Sequence, residues 1–337
     1  MADETALERE LSEPTPDLIE AMRRIEGDIV ILGAGGKMGP TLAQLAVRAS
    51  DASGNRRQIV AVARFSDPGA RLAIEAAGAR CIRADLLDTD LNGLPDAPNV
   101  IFMAGQKFGT TGDTARTWAV NTLLPGLVAT RYRDARVVVF STGNVYPFWP
   151  RDSEGPTESD PVGPVGEYAQ SALARERIFE YAGERHGTRS AILRINYAIE
   201  PRYGVLRDIA DRVRRREPID LAMGRVNVIW QRDANAIALR ALEYVAAPPF
   251  VINVTGRPAL SVRSLAERFG ARWGVDPVFR GAEEPSALLS NASLMERVFG
   301  PPSVDVEAMV DRIVRWVDSG GRSLGKPTRF EERRGAF

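Results

Sequence analysis

The stretch Ile29-Val30-Ile31-Leu32-Gly33-Ala34-Gly35-Gly36-Lys37-Met38-Gly39 limits what this chain can fold into more than any other. A run of β-branched residues and leucine enters a turn with glycines at 33, 36 and 39, and an amphipathic segment from Pro40 to Ala49 follows. The order is strand, tight turn, helix. A strand without polar alternation is buried on both faces of a parallel sheet, and the glycines let the backbone approach a pyrophosphate held at the helix N-terminus. Gly33, Gly35, Gly36, Lys37, Met38 and Gly39 are therefore candidate cofactor-binding residues. A glycine-rich turn with no ligand is the competing reading, and the glycine spacing alone does not choose between them.

The same alternation continues downstream. Gln58 to Ala63, Arg80 to Ala84, Asn99 to Met103 and Arg136 to Phe140 read as further strands, with helical segments such as Gly69 to Ala77 between them. Strand and helix alternating at roughly 30-residue spacing require right-handed crossovers in a parallel sheet. Ligands of such sheets collect at the carboxyl ends of the strands. Those ends carry Arg64, Asp85-Leu86, Ala104-Gly105 and Ser141-Thr142. An arginine at the end of the second strand suits a 2′-phosphate, whereas an acidic residue would accept from a 2′-hydroxyl. Arg64 thus favours NADP, and Asp67 keeps NAD open.

At 337 residues and 44% hydrophobic composition, the chain can bury a large core and fill one α/β domain plus a smaller lobe. Its 44 basic and 44 acidic residues cancel, which argues against an extended nucleic-acid footprint. One cysteine, Cys81, and one histidine, His186, leave no basis for an intramolecular disulfide, a metal site or a Ser-His triad. No apolar run approaches membrane-spanning length and no signal-peptide core is present, so the expectation is a soluble cytoplasmic protein with no membrane partner. The only lysines are Lys37, Lys107 and Lys326, which singles each of them out.

Residues 1–27 read as an N-terminal extension, with a helix capped by Thr15, opened by Pro16 and stopped near Arg24 and Gly27. Residues 28–195 form the nucleotide-binding domain and 196–319 a smaller lobe interleaved with it. The polar tail, 320–337, reads as mobile or held by a partner subunit.

In order and spacing, the strings from Asp28 to Val317 resemble the extended short-chain dehydrogenase/reductase superfamily, specifically its NAD-dependent epimerase/dehydratase family. The carriers are Gly33 to Gly39, Asp85-Leu86, Met103-Ala104-Gly105, Val120-Asn121, Ser141 to Tyr146, Leu193 to Tyr197, Val228 to Asp233 and Val251 to Gly256. The resemblance implies a Rossmann-type doubly wound parallel sheet with a smaller C-terminal substrate lobe, NADP or NAD as cofactor, a carbohydrate-like small-molecule substrate and a homodimer. It places Asp85-Leu86 at the adenine, Ala104-Gly105 beside the nicotinamide, Thr142 on the substrate oxygen and Tyr168 as acid/base. Ser141, Phe148, Trp149, Asn196 and Arg202 are candidates for the substrate side.

Two departures from the family pattern bear on chemistry. The family's Tyr-x-x-x-Lys reads here Tyr168-Ala169-Gln170-Ser171-Ala172. A free tyrosine, with pKa ~10, is only about 0.1% phenolate at pH 7, and restoring a pKa near 7 is worth roughly 4 kcal/mol. Three explanations stay open: Lys107 delivers the ammonium from another element, Tyr168 acts as a proton donor that tolerates a high pKa, or catalysis has been lost and the chain is a cofactor-binding sensor or scaffold. The second departure concerns the R-D-x-x-x-V-x-D string with which nucleotide-sugar enzymes clamp a diphosphate. Aligned on Asp233, it has Val226 in place of the arginine and Arg225 one residue off. That favours a smaller sugar, sugar acid or other hydroxy/keto compound, converted by hydride transfer.

Overall fold

The structure, a computed structural model, describes residues 3–337. Seven strands build one parallel sheet: β1 (Ile29–Leu32), β2 (Ile59–Ala63), β3 (Arg80–Arg83), β4 (Asn99–Phe102), β5 (Arg136–Thr142), β6 (Arg189–Ile195) and β7 (Phe250–Val254). Their spatial order is β7-β6-β5-β4-β1-β2-β3. The winding reverses between β1 and β4, the place where a parallel sheet opens a crevice. Ile29 of β1 lies opposite Ile59 on one side and Asn99 on the other, so the four-residue strand is paired along its whole length on both edges.

Among the described residues, twelve α-helices pack around this sheet or build the lobe. They are α1 (Glu4–Leu11), α2 (Pro16–Arg24), α3 (Gly39–Ser53), α4 (Pro68–Ala76), α5 (Thr114–Trp118), α6 (Leu124–Arg131), α7 (Gly166–His186), α8 (Val205–Arg215), α9 (Gln231–Arg240), α10 (Val262–Trp273), α11 (Ser293–Phe299) and α12 (Val306–Asp318). Alternate strand residues feed two cores. Ile29, Ile31, Ile101 and Leu193 pack on one face with Leu42 and Ala46 of α3. Val30, Leu32, Phe102 and Val139 pack on the other with Val128 of α6 and Phe179 of α7. Each side chain so buried contributes about 1.5–3 kcal/mol, enough to hold strands this short. A third core, around Trp230, Phe269, Met309 and Ile313, belongs to the lobe built from α8, α10 and α12.

The extension forms α2 as expected, with the Thr15 hydroxyl accepting from Leu18 N. Leu18 and Met22 join the sheet core, while Leu7 and Leu11 of α1 enter the lobe core. The extension therefore ties the two units together. The tail departs from expectation, because its own chain holds it. Phe330 and Phe337 are buried, and the Thr328 backbone N–H and hydroxyl both donate to Asp208 Oδ2, at 2.7 and 2.6 Å. Its anchors are too widely spaced to give any periodicity, and so the sequence conceals them. Among the described residues no helix is long and apolar enough to cross a membrane.

Candidate functional site

A groove of about 420 Å³ runs along the carboxyl ends of β1, β2 and β4, lined by Gly33, Gly35, Gly36, Arg64, Asp85, Leu86, Ala104 and Gly105. Two glycines are required by close approach. A Cβ on Gly33 (φ +94°) would stand 2.5 Å from Ala104 N, and one on Gly39 would stand 2.2 Å from Ala34 O. Gly36 instead has open space beside it, with its nearest neighbour at 3.7 Å. The result is a shallow backbone cradle at the start of α3, which fits a dinucleotide pyrophosphate. At the far end Asp85 sits between Arg64 (3.8 Å) and Arg116 (3.6 Å), and Lys326 from the tail lines the same groove.

Lys37 and Met38 are not part of this lining. Lys37 Nζ donates to Ala198 O (2.6 Å) and stands 4.3 Å over the Tyr203 ring. Burial pushes its pKa down to about 7. Met38 packs against the sheet core. Both precede α3 where the turn passes between sheet and lobe, so Lys37 meets the lobe and Met38 the sheet core, and neither side chain faces the groove.

Tyr168 lies in the first turn of α7 and Thr142 ends β5, and the fold brings them close together, with the Thr142 hydroxyl donating to Asn144 Oδ1 at 3.2 Å. Burial pushes the Tyr168 phenol up, while hydrogen bonding to the Thr142 hydroxyl and the charge of Arg175 pull it back. Lys107 enters the same space from the loop after β4. Its Nζ is 5.8 Å from the Tyr168 ring centroid, 5.9 Å from Tyr197, 5.8 Å from Phe108 and 4.3 Å from Phe337. Burial pushes Lys107 down to about 8, with distant Asp208 opposing.

Arg175 is not among the residues that the sequence singles out. It sits two turns beyond Tyr168 on α7, a spacing that keeps both on one face. The side chain is buried, with Nη1 donating to Phe140 O (2.5 Å), Nη2 to Asn121 Oδ1 (2.8 Å), and Nε unpartnered. No carboxylate pairs with it among the described residues. Asn121 in turn grips the Lys107 loop, accepting from Gln106 N and donating to Gln106 O, both at 2.9 Å.

The substrate-side candidates separate. Ser141 bonds to buried Glu176, which pairs with Arg194 at 2.7 Å; Arg194 also donates to the Tyr146 hydroxyl at 2.8 Å. Ser141 therefore belongs to an internal network behind Thr142, not to a substrate surface. Arg202 is likewise withdrawn, neutralised by Glu200 (3.1 Å), Glu8 (3.2 Å) and Glu4 (3.7 Å). Trp149 pairs with Ala287 in a two-residue antiparallel ladder. Phe148 does border a small cavity against Phe337, together with Asn144 and Tyr197, but neither Tyr168 nor Thr142 lines it. Asn196 is buried beside Gly143 with its Nδ2 unpartnered. Among the described residues no cluster of three potential metal ligands occurs.

The model of the NAD dependent epimerase/dehydratase family matches residues 29–253. No curated protein matches the sequence. Among solved structures, the fold is similar to UDP-glucuronic acid 4-epimerase from Bacillus cereus, in complex with UDP-glucuronic acid and NAD. The TM-score is 0.74 at 18% identity, over 87% of this chain and 99% of that one. It is also similar to UDP-glucose 4-epimerase from Thermotoga maritima, with a TM-score of 0.70 at 16% identity, over 87% and 99% of the two chains.

Proposed function

The chain belongs to the NAD dependent epimerase/dehydratase family, and from that premise we propose that it is an NAD(P)-dependent epimerase, dehydratase or dehydrogenase of a carbohydrate-like hydroxy or keto compound. The observation that carries this reading is the placement of Tyr168, in the first turn of α7, close to Thr142 at the end of β5, with Lys107 Nζ 5.8 Å from the Tyr168 ring centroid. Gly33, Gly35, Gly36, Gly39, Asp85, Leu86, Ala104 and Gly105 would hold the dinucleotide, whose nicotinamide supplies or accepts a hydride. Thr142 hydrogen-bonds the substrate oxygen. Tyr168, protonated at neutral pH because burial raises its pKa, donates a proton to that oxygen in the reducing direction.

Two cations take over from the lysine absent at Ala172. An ion buried without a partner costs several kcal/mol, and Arg175 is such an ion. The cost is offset when negative charge develops on the Tyr168 oxygen. Arg175 stays charged at every working pH, whereas Lys107 loses its proton at about 8.

The finer assignments follow from charge and size. Both solved relatives are UDP-sugar epimerases by name, and one holds NAD; that supports NAD(H) and a sugar-like substrate here. Arg64, Arg116 and Lys326 face the single Asp85 at the adenosine end, which favours the extra phosphate of NADP. Val226 is buried in the lobe core and Arg225 is 3.5 Å from Asp152, so neither is placed to clamp a diphosphate, which favours a substrate smaller than a nucleotide sugar. Exposed Leu123 and Leu127, at the start of and within α6, and exposed Tyr181 on α7, which packs against α6, support a homodimer through these helices.

The test is a titration with NADPH and NADH followed by nicotinamide fluorescence, then a screen of sugars and keto acids for absorbance change at the nicotinamide band. Micromolar binding and turnover that vanishes in Tyr168→Phe are expected. Tight cofactor binding with no turnover of any compound would instead support the sensor or scaffold reading.

A further inference from the structure

We propose that Gly335-Ala336-Phe337 is a displaceable plug that decides which molecules reach Tyr168, with the Phe337 ring standing where a substrate ring would lie. The inference rests on the reading that Tyr168 and Thr142 face the reacting carbon. Phe337 packs edge-on against Tyr168, with ring centroids 5.6 Å apart, and the Lys107 ammonium lies 4.3 Å over its face. Between Phe337 and Asn144, Tyr146, Phe148 and Tyr197 only about 20 Å³ remains. That holds a water at most. The dinucleotide groove, by contrast, stays open at about 420 Å³. Cofactor has a place in this conformation and a sugar has none beside Phe337; a second cleft of about 440 Å³, lined by Gly105, Lys107 and Arg329, is open but does not include Tyr168.

The tail is held unequally along its length. Up to Arg333 the anchors are strong: Thr328 on Asp208, Glu331 on Arg212, buried Phe330, and Arg333 Nη1 and Nη2 on the Ser286 carbonyl and hydroxyl, each at 2.8 Å. Beyond Arg334 the polar contacts lengthen. Phe337 O accepts from Thr111 N at 3.5 Å and from the Thr111 hydroxyl at 3.3 Å, and Ala336 O accepts from Arg329 at 3.4 Å.

Between the two parts sits Gly335 (φ +73°), nested against Gly166 (φ +81°) at the start of the Tyr168 helix. A Cβ on Gly335 would stand 2.4 Å from Val165 O, and one on Gly166 would stand 2.7 Å from Gly335 Cα. Paired glycines let the tail lie directly on α7, and the same residue gives the chain a hinge. A substrate rich in oxygen offers Lys107 and Tyr168 hydrogen bonds that a phenyl ring cannot, and this differential affinity is what opens the plug.

The experiment is nitration by tetranitromethane at pH 8, mapped by peptide mass spectrometry, on the full chain, on Phe337→Ala and on Gly335→Ala, which unseats the latch but keeps the ring. Tyr181, 61% exposed, serves as internal reference. Tyr168 nitration relative to Tyr181 is expected to rise at least tenfold in both variants, with NADH affinity and melting temperature little changed. An unchanged Tyr168 rate in both variants would overturn the proposal. If the rate rises and no compound is ever turned over, the plug stands and the catalytic reading fails; if turnover is found with Tyr168 equally reactive in all three proteins, the reverse holds.

Discussion

Replacing Arg194 by methionine tests the framework behind the reacting groups. Arg194 and Glu176 are 5% and 0% exposed along their side chains. Besides the 2.7 Å contact, Arg194 Nε donates to both Glu176 oxygens at 3.2 Å, and the Tyr146 hydroxyl takes the remaining Nη1 at 2.8 Å. Methionine fills much of the volume but leaves the Glu176 carboxylate buried with Ser141 as its remaining partner. Breaking a buried pair from one side costs about 3–5 kcal/mol. The double variant Arg194→Met, Glu176→Gln removes both charges, and it should recover about half of that loss, because the uncompensated ion is gone. Urea unfolding of the wild type, both single variants and the double variant gives the coupling directly. Ser141 adjoins Thr142, so cofactor-dependent activity should fall further than stability alone requires. A single-variant loss below about 1 kcal/mol, or a double variant no more stable than Arg194→Met, would refute the argument that this pair is a closed electrostatic unit.

With the 5.8 Å from Lys107 Nζ to the Tyr168 ring centroid taken as the charge separation and an effective dielectric constant near 20, a unit charge is worth about 2.9 kcal/mol, so Lys107→Met should slow turnover about 100-fold at pH 7. Since Lys107 loses its proton at about 8, that ratio should shrink towards one by pH 10; a ratio constant with pH would assign Lys107 a merely steric role. Lys37 carries a folded-state pKa of about 7 against an ordinary 10.5. Between those values the unfolded chain binds the proton that the folded chain has released, so stability should rise with pH across that window, by at most about 4–5 kcal/mol. Lys37→Met should flatten this rise in chemical denaturation at pH 7, 8.5 and 10. Gly39→Ala forces its Cβ to within 2.2 Å of Ala34 O; it should cost about 1–3 kcal/mol in melting experiments and weaken NADH binding in fluorescence titration, because the cradle must open to accept it.

The sequence by itself determined the sheet, the glycine cradle and the family. Apolar runs at 29–32, 59–63 and 137–140 can be satisfied only by burial, and burial on both faces leaves a parallel sheet as the answer. Local capping likewise set the Thr15 helix, whose start and stop lie within a few residues of one another. These features are written in neighbouring residues, where a single chain displays them. Direction in space is different. Lys37, Ser141 and Arg202 have the chemistry of site residues, yet Ala198 O, Glu176 and Glu200 claim them, and only the packed molecule brings those partners within reach. Arg175 was readable in principle from its two-turn spacing to Tyr168, but its isolation from any carboxylate exists only once the helix is buried. The tail shows the same division most clearly. Phe337 meets Tyr168 across 169 positions of sequence, a distance over which composition and periodicity carry no signal and complementary surfaces decide.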